Sequence, residues 1–244
     1  MKFPNKKYVK LSDYRKDYYT SLKYAFDSID NVKLSKTINV LDKAYKNSKI
    51  KVFVCGNGGS AALANHFACD HQKILNETKI LKPFLISLSS NTALMTAISN
   101  DNKYECVFSD QIEQMGQKSD ILITISSSGK SPNIVNAIKV AKKKSMTTIS
   151  LTGFDGGMSK KISHINLHID SYNYGIIESM HHTIMNLISQ FLKNKYFSLS
   201  QIKTRNFSLI SRVWYLTLWA MSQISKVIDS RVKMLINYHN CHEV

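Results

Sequence analysis

Residues 121–138 read ILITISSSGKSPNIVNAI. An apolar run of strand length, 121–126, gives way to serines and one glycine. Pro132 then opens a helix-length pattern that runs to residue 143. Proline suits a first helical position, where its missing N–H would have no partner anyway. A buried strand, a short polar loop and a helix make one unit of an open parallel sheet. The same grammar repeats on either side. Short runs of Val, Ile, Leu, Phe and Thr occur at 50–55, 83–88, 147–152 and 164–169. Helix-like stretches fall at 60–73, 91–98, 105–115 and 175–195, and two amphipathic segments, 12–29 and 34–46, come first. The order predicts an α/β fold: a doubly wound, five-stranded parallel sheet with N-terminal helices.

In such sheets ligands bind outside the carboxyl ends of the strands. Three loops there are chemically loaded: Cys55-Gly56-Asn57-Gly58-Gly59-Ser60, Ser126-Ser127-Ser128-Gly129-Lys130-Ser131 and Gly153-Phe154-Asp155-Gly156-Gly157. The second feeds a helix, and unpaired N–H groups at a helix N-terminus favour an anion. Serine hydroxyls add donors, Gly129 allows close approach, and Lys130 would add charge. One serine would suffice as a cap, so four in six residues read as a phosphate cradle. GxxxxGK[ST] is absent, which argues against nucleoside triphosphate hydrolysis. The 56–61 loop ends in Ala, a variant some dinucleotide folds permit, so a nucleotide reading stays open.

Acid–base candidates come in two groups. His66 and Asp70 are four apart on one helix and share a face. That spacing suits joint action on a ligand or two ligands to one metal, and is also that of a plain surface pair. Glu178, His181, His182 and Asn186 lie on the last helix at spacings of three and four, with the same alternatives open. Asn100 and Asp101 either bind sugar hydroxyls or close a turn. His71, His164, His168, His239 and His242 show no comparable grouping.

Composition narrows the classes. Of 244 residues, 33 are Lys or Arg and 17 Asp or Glu, a formal charge of +16. The lysines are scattered, so they read as solvated faces; nucleic acid is not an expected partner. Four cysteines without a CxxC pair indicate neither a disulfide framework nor a zinc knuckle. No run of 18 apolar residues predicts a membrane span, and no secretory signal opens the chain. A reducing, cytoplasmic setting is expected.

Taken together, CGNGGSAALANHFACD (55–70), SNDNKYECVF (99–108), ISSSGKSPNIVNAI (125–138), LTGFDGG (151–157) and NYGIIESMHHTIMNLISQ (173–190) resemble the sugar isomerase (SIS) domain family, whose fold is flavodoxin-like, and within it the phosphoheptose isomerases. The resemblance covers residues 13–197; residues 198–244 lie outside it, as an appended tail without an assigned role. It implies aldose–ketose isomerisation of sedoheptulose 7-phosphate through an enediol(ate), in heptose and lipopolysaccharide or related glycan synthesis. It implies a homotetramer and a phosphorylated seven-carbon sugar as ligand. It implies substrate contacts from Asn57, Gly58, Gly59, Ser60, Asn100, Asp101, Ser126, Ser127, Ser128 and Ser131. Catalysis would fall to Asp70 and Glu178 with His182, or its neighbour His181, standing in for the family's histidine, and zinc, where present, to His66, Asp70 and Glu178. The chain departs from the family pattern in three places. Asp70 stands for a glutamate, Glu178 for a glutamine, and Asn186 for a histidine. The alternative expectation is a non-catalytic SIS-domain sensor or adaptor of sugar phosphates.

Overall fold

A computed structural model describes residues 2–197. The expected tail, 198–244, lies outside the described residues. Two helices come first, α1 (Leu11–Asp27) and α2 (Asn31–Tyr45). Asp30 caps α2 by accepting hydrogen bonds from the Val32 and Lys33 N–H groups, which are unpaired donors at any helix start. The alternating part follows: β1 (Lys51–Gly56), α3 (Gly59–Asn76), β2 (Phe84–Ser87), α4 (Thr92–Asp101), a 3₁₀ turn (Tyr104–Cys106), α5 (Ser109–Met115), β3 (Ile121–Ile125), α6 (Pro132–Lys143), β4 (Thr147–Thr152), α7 (Gly157–Ile162), β5 (Ile165–His168) and α8 (Tyr174–Tyr196).

The strands form one parallel sheet in the order β2-β1-β3-β4-β5. Its central strands are buried on both faces, which is why they read as continuous apolar runs. Side chains still alternate between two cores. Val52, Val54, Ile121, Ile123 and Ile125 join α1, α2, α3 and α8 on one side. Phe53, Cys55 and Leu122 join Ile112 of α5 and Ile134 and Ile138 of α6 on the other. The chain reverses direction across the sheet between β1 and β3, so their carboxyl ends flank the crevice where such folds take ligands.

Two expectations change in detail. The 105–115 helix is broken into the 3₁₀ turn and α5, because Val107 and Phe108 between them are drawn fully into the core. Asn100 and Asp101 belong to the last turn of α4 rather than following it.

Candidate functional site

The serine loop leaves β3 and folds back on itself. The Gly129 N–H donates to both the carbonyl and the Oγ of Ser126, at 3.0 and 3.1 Å. Gly129 sits at φ +63°, and a Cβ there would strike the Gly156 carbonyl oxygen. Only glycine lets the loops after β3 and β4 press together in this way. The turn leaves donors over. The N–H groups of Ser127, Ser128, Ser131 and Asn133 meet no acceptor among the described residues. The Ser127 hydroxyl is buried without a partner among the described residues. Ser131 stands at the N-cap of α6 yet makes no side-chain cap bond, forgoing roughly 1 kcal/mol of helix stability. A plain capping role would use that hydroxyl. Charge-assisted hydrogen bonds contribute about 1.5–3 kcal/mol each, so an anion here outweighs the missing cap.

Lys130 does not aim at this nest. Its Nζ lies 2.7 Å from Oδ2 of Asp155, in the loop after β4. The Lys130 ammonium holds the Asp155 carboxyl below its usual range. The pair is exposed, and such pairs are worth little.

Across the crevice, the glycine loop opens α3. A Cβ on Gly56 would lie 2.5 Å from the Ser60 carbonyl oxygen, so β1 turns into α3 with no room to spare. The N–H groups of Gly58 and Gly59 have no acceptor among the described residues, and Ser60 is buried behind them. Ser89 bonds both backbone groups of Gly56, pinning the end of β1. The Asn57 side chain does not point free into the crevice. It exchanges two hydrogen bonds with Asn133 of α6, at 2.9 and 2.8 Å, and accepts a third from the Tyr104 hydroxyl at 2.9 Å. Neither Asn133 nor Tyr104 was expected from the sequence. Nothing in a string signals an amide pair 76 residues apart. Asn100 and Asp101 are exposed and bonded to each other, with no bond to either loop among the described residues.

Farther along α3, Nε2 of His66 lies 3.1 Å from Oδ2 of Asp70. The His66 ring meets His182 of α8 edge to face, centroids 4.9 Å apart, and Nε2 of His182 is buried without a partner among the described residues. The structure thus joins His66, Asp70 and His182. Glu178, one turn earlier on α8, lies over the start of α3 instead, its carboxylate oxygens 3.5 Å from where a Gly59 Cβ would be. Asn186 is half-buried on α8. His181 points the other way, fully buried, and burial lowers its imidazole to about 4, opposed in part by the Thr152 backbone.

Zinc would need three or four donors around one point. Among the described residues no group of three or more His, Cys, Asp or Glu is placed to hold an ion. His66 and Asp70 supply two, and Glu178 stands apart. Within one chain the expected ligand set does not fit a zinc ion.

The SIS domain model matches residues 14–153. Phosphoheptose isomerase 1 of Campylobacter jejuni is 41% identical over 147 residues, which are 60% of this chain and 78% of that protein. The probable phosphoheptose isomerase of Thermoplasma acidophilum is 38% identical over 169 residues, 68% of this chain and 92% of that protein. Among solved structures, phosphoheptose isomerase GmhA of Neisseria gonorrhoeae superposes with a TM-score of 0.68 at 27% identity, covering 76% of this chain and all of that one (100%).

Proposed function

We propose that this chain, which belongs to the SIS domain family and within it to the phosphoheptose isomerases, converts sedoheptulose 7-phosphate to D-glycero-D-manno-heptose 7-phosphate. The observation that carries the reading is the unused donor set of the serine loop, facing the glycine loop across the β1–β3 crevice. A phosphate dianion satisfies those N–H groups and the Ser127 hydroxyl. Binding energy gained there, remote from the reacting carbons, is available to orient them.

Isomerisation moves one hydrogen from C1 of the ketose to C2 and shifts the carbonyl from C2 to C1. A base removes the C1 proton while O2 takes up negative charge or a proton. The enediol(ate) then collects a proton at C2 as O1 gives its own away. Asp70 fits the role of base. Its Oδ2 is engaged by His66, which leaves Oδ1 for carbon. Glu178 and His182, from α8, fit proton exchange with O1 and O2. Asn186 cannot serve there, because an amide does not titrate near neutral pH. These steps run on the chain's own side chains.

The same reading places the chain in a homotetramer. It is supported by helices that expose apolar residues, such as Leu11, Tyr19 and Phe26 on α1, and by α4, which buries none of its own. A cytoplasmic setting fits the free thiols of Cys55, Cys69 and Cys106; no helix among the described residues is long and apolar enough to cross a membrane. Supply of heptose for lipopolysaccharide or a related glycan belongs to the same proposal.

The test is direct. The protein is incubated with sedoheptulose 7-phosphate and the aldose is measured. Asp70→Asn is expected to lower turnover by at least a thousandfold while calorimetry shows substrate binding within about threefold of the parent. Undiminished turnover in that variant would remove Asp70 from the mechanism.

A further inference from the structure

We infer that Asn133 and Tyr104 are positioning residues which, by gripping the Asn57 side chain, hold the two ends of the substrate site at a fixed separation. The inference rests on the phosphate-and-sugar reading of the crevice given above.

Asn57 belongs to the glycine loop and Asn133 to the first turn of the helix that follows the serine loop. Their reciprocal amide bonds, 2.9 and 2.8 Å, therefore cross the crevice. Asn133 is 2% exposed, so its amide has no water to fall back on, and a buried amide without its partner is costly. Its Oδ1 also accepts the Ile134 N–H at 3.0 Å, which fixes the orientation of the group. The same residue leaves its own backbone N–H unused in the anion nest. One residue thus presents a donor to the phosphate end with its backbone and grips the sugar end with its side chain.

Tyr104 ties in a third segment. Its hydroxyl donates to Asn57 Oδ1 although the residue is 51% exposed. Tyr104 opens the 3₁₀ turn, three residues past Asp101 at the end of α4. The neighbouring Glu105 carbonyl accepts a bond from Asn136 of α6 at 3.2 Å, so this turn is moored to the same helix. Asn57 Oδ1 has both its acceptor sites filled and Nδ2 has one of its two hydrogens used. A single N–H remains for a ligand. Asn57 accordingly works as the hub of the site more than as a substrate contact.

A clamp of this kind has a signature that loss of fold does not. Inorganic phosphate needs one end of the site only, while sedoheptulose 7-phosphate needs both in register. The variants are Tyr104→Phe, which keeps the ring, and Asn133→Ala, each alone and combined with Asn57→Ala. Calorimetry with inorganic phosphate and with sedoheptulose 7-phosphate is run beside steady-state kinetics and thermal unfolding. We expect phosphate affinity within twofold of the parent in Tyr104→Phe. We expect kcat/KM for the sugar phosphate to fall about tenfold in Tyr104→Phe and thirtyfold or more in Asn133→Ala. Either change added to Asn57→Ala should cost less than a further twofold, because the shared contact is already gone. Sugar-phosphate parameters within twofold of the parent in both single variants would overturn the inference, as would equal losses for phosphate and sugar phosphate. If the parent binds sedoheptulose 7-phosphate without converting it, the isomerase reading fails while the same cycle, read on binding alone, still decides the clamp.

Discussion

Ser127 carries a buried hydroxyl that finds no partner among the described residues. A buried polar atom without a partner is a standing cost, so its removal is neutral or stabilising unless a ligand pairs it. Ser127→Ala should therefore leave urea unfolding within about 0.5 kcal/mol of the parent, or raise stability, while weakening sedoheptulose 7-phosphate about tenfold. A large loss of stability with unchanged affinity would make the hydroxyl structural. Residue-level reading of the sequence reaches what is contiguous. The strand, loop and helix start around Ser126–Ser131 adjoin in the string, and the structure has them in that order. It fell short where partners come from afar. Lys130 looked like a charge for the phosphate, but the loop after β4 brings Asp155 to it. Asn57 looked like a free ligand group, but α6 brings Asn133.

Helices α3 and α8 carry every acid–base candidate, and each also buries a histidine that faces away from the site. The His71 ring stacks on Phe67, with Nδ1 2.8 Å from the Tyr45 hydroxyl and Nε2 3.3 Å from the Met185 carbonyl oxygen. A tautomer protonated on Nε2 donates to the carbonyl and accepts from tyrosine. Burial lowers His71 to about 3 and His181 to about 4, from an ordinary 6.5. Both are neutral in the fold and take up a proton on unfolding at any pH between those values and 6.5. Their contribution is thus present in full above about pH 6.5 and is lost as pH falls. The loss amounts to up to about 2 kcal/mol per histidine between pH 7 and pH 5. Urea midpoints should fall over that range, and His71→Gln should flatten the slope. A midpoint independent of pH from 7 to 5 would contradict neutral burial. The periodicity of α6 and α8 was legible because each buries one continuous stripe. The break at Val107–Phe108 was not, since it follows from two side chains turning into a core that the string does not locate.

At the scale of the molecule, the order of strands and helices was readable because a parallel sheet buried on both faces writes itself as short apolar runs separated by helix-length spacers. The sheet order places the glycine and serine loops at the switch point. Assembly is not written that way. Nothing in the string marks Leu11, Tyr19 and Phe26 as exposed; only the fold puts them at the surface of α1. Light scattering should give four times the monomer mass; a monomer at micromolar concentration would refute the tetramer. The central claim is that a proton leaves carbon inside this crevice and the carbonyl moves along the chain. Nuclear magnetic resonance of sedoheptulose 7-phosphate incubated with the protein in deuterated water follows that proton. The account predicts an aldose 7-phosphate, with deuterium entering at C2 to the extent that the abstracted proton exchanges with solvent. Folded protein that binds the ketose, yet yields neither aldose nor deuterium at C1 of the recovered ketose, would contradict it.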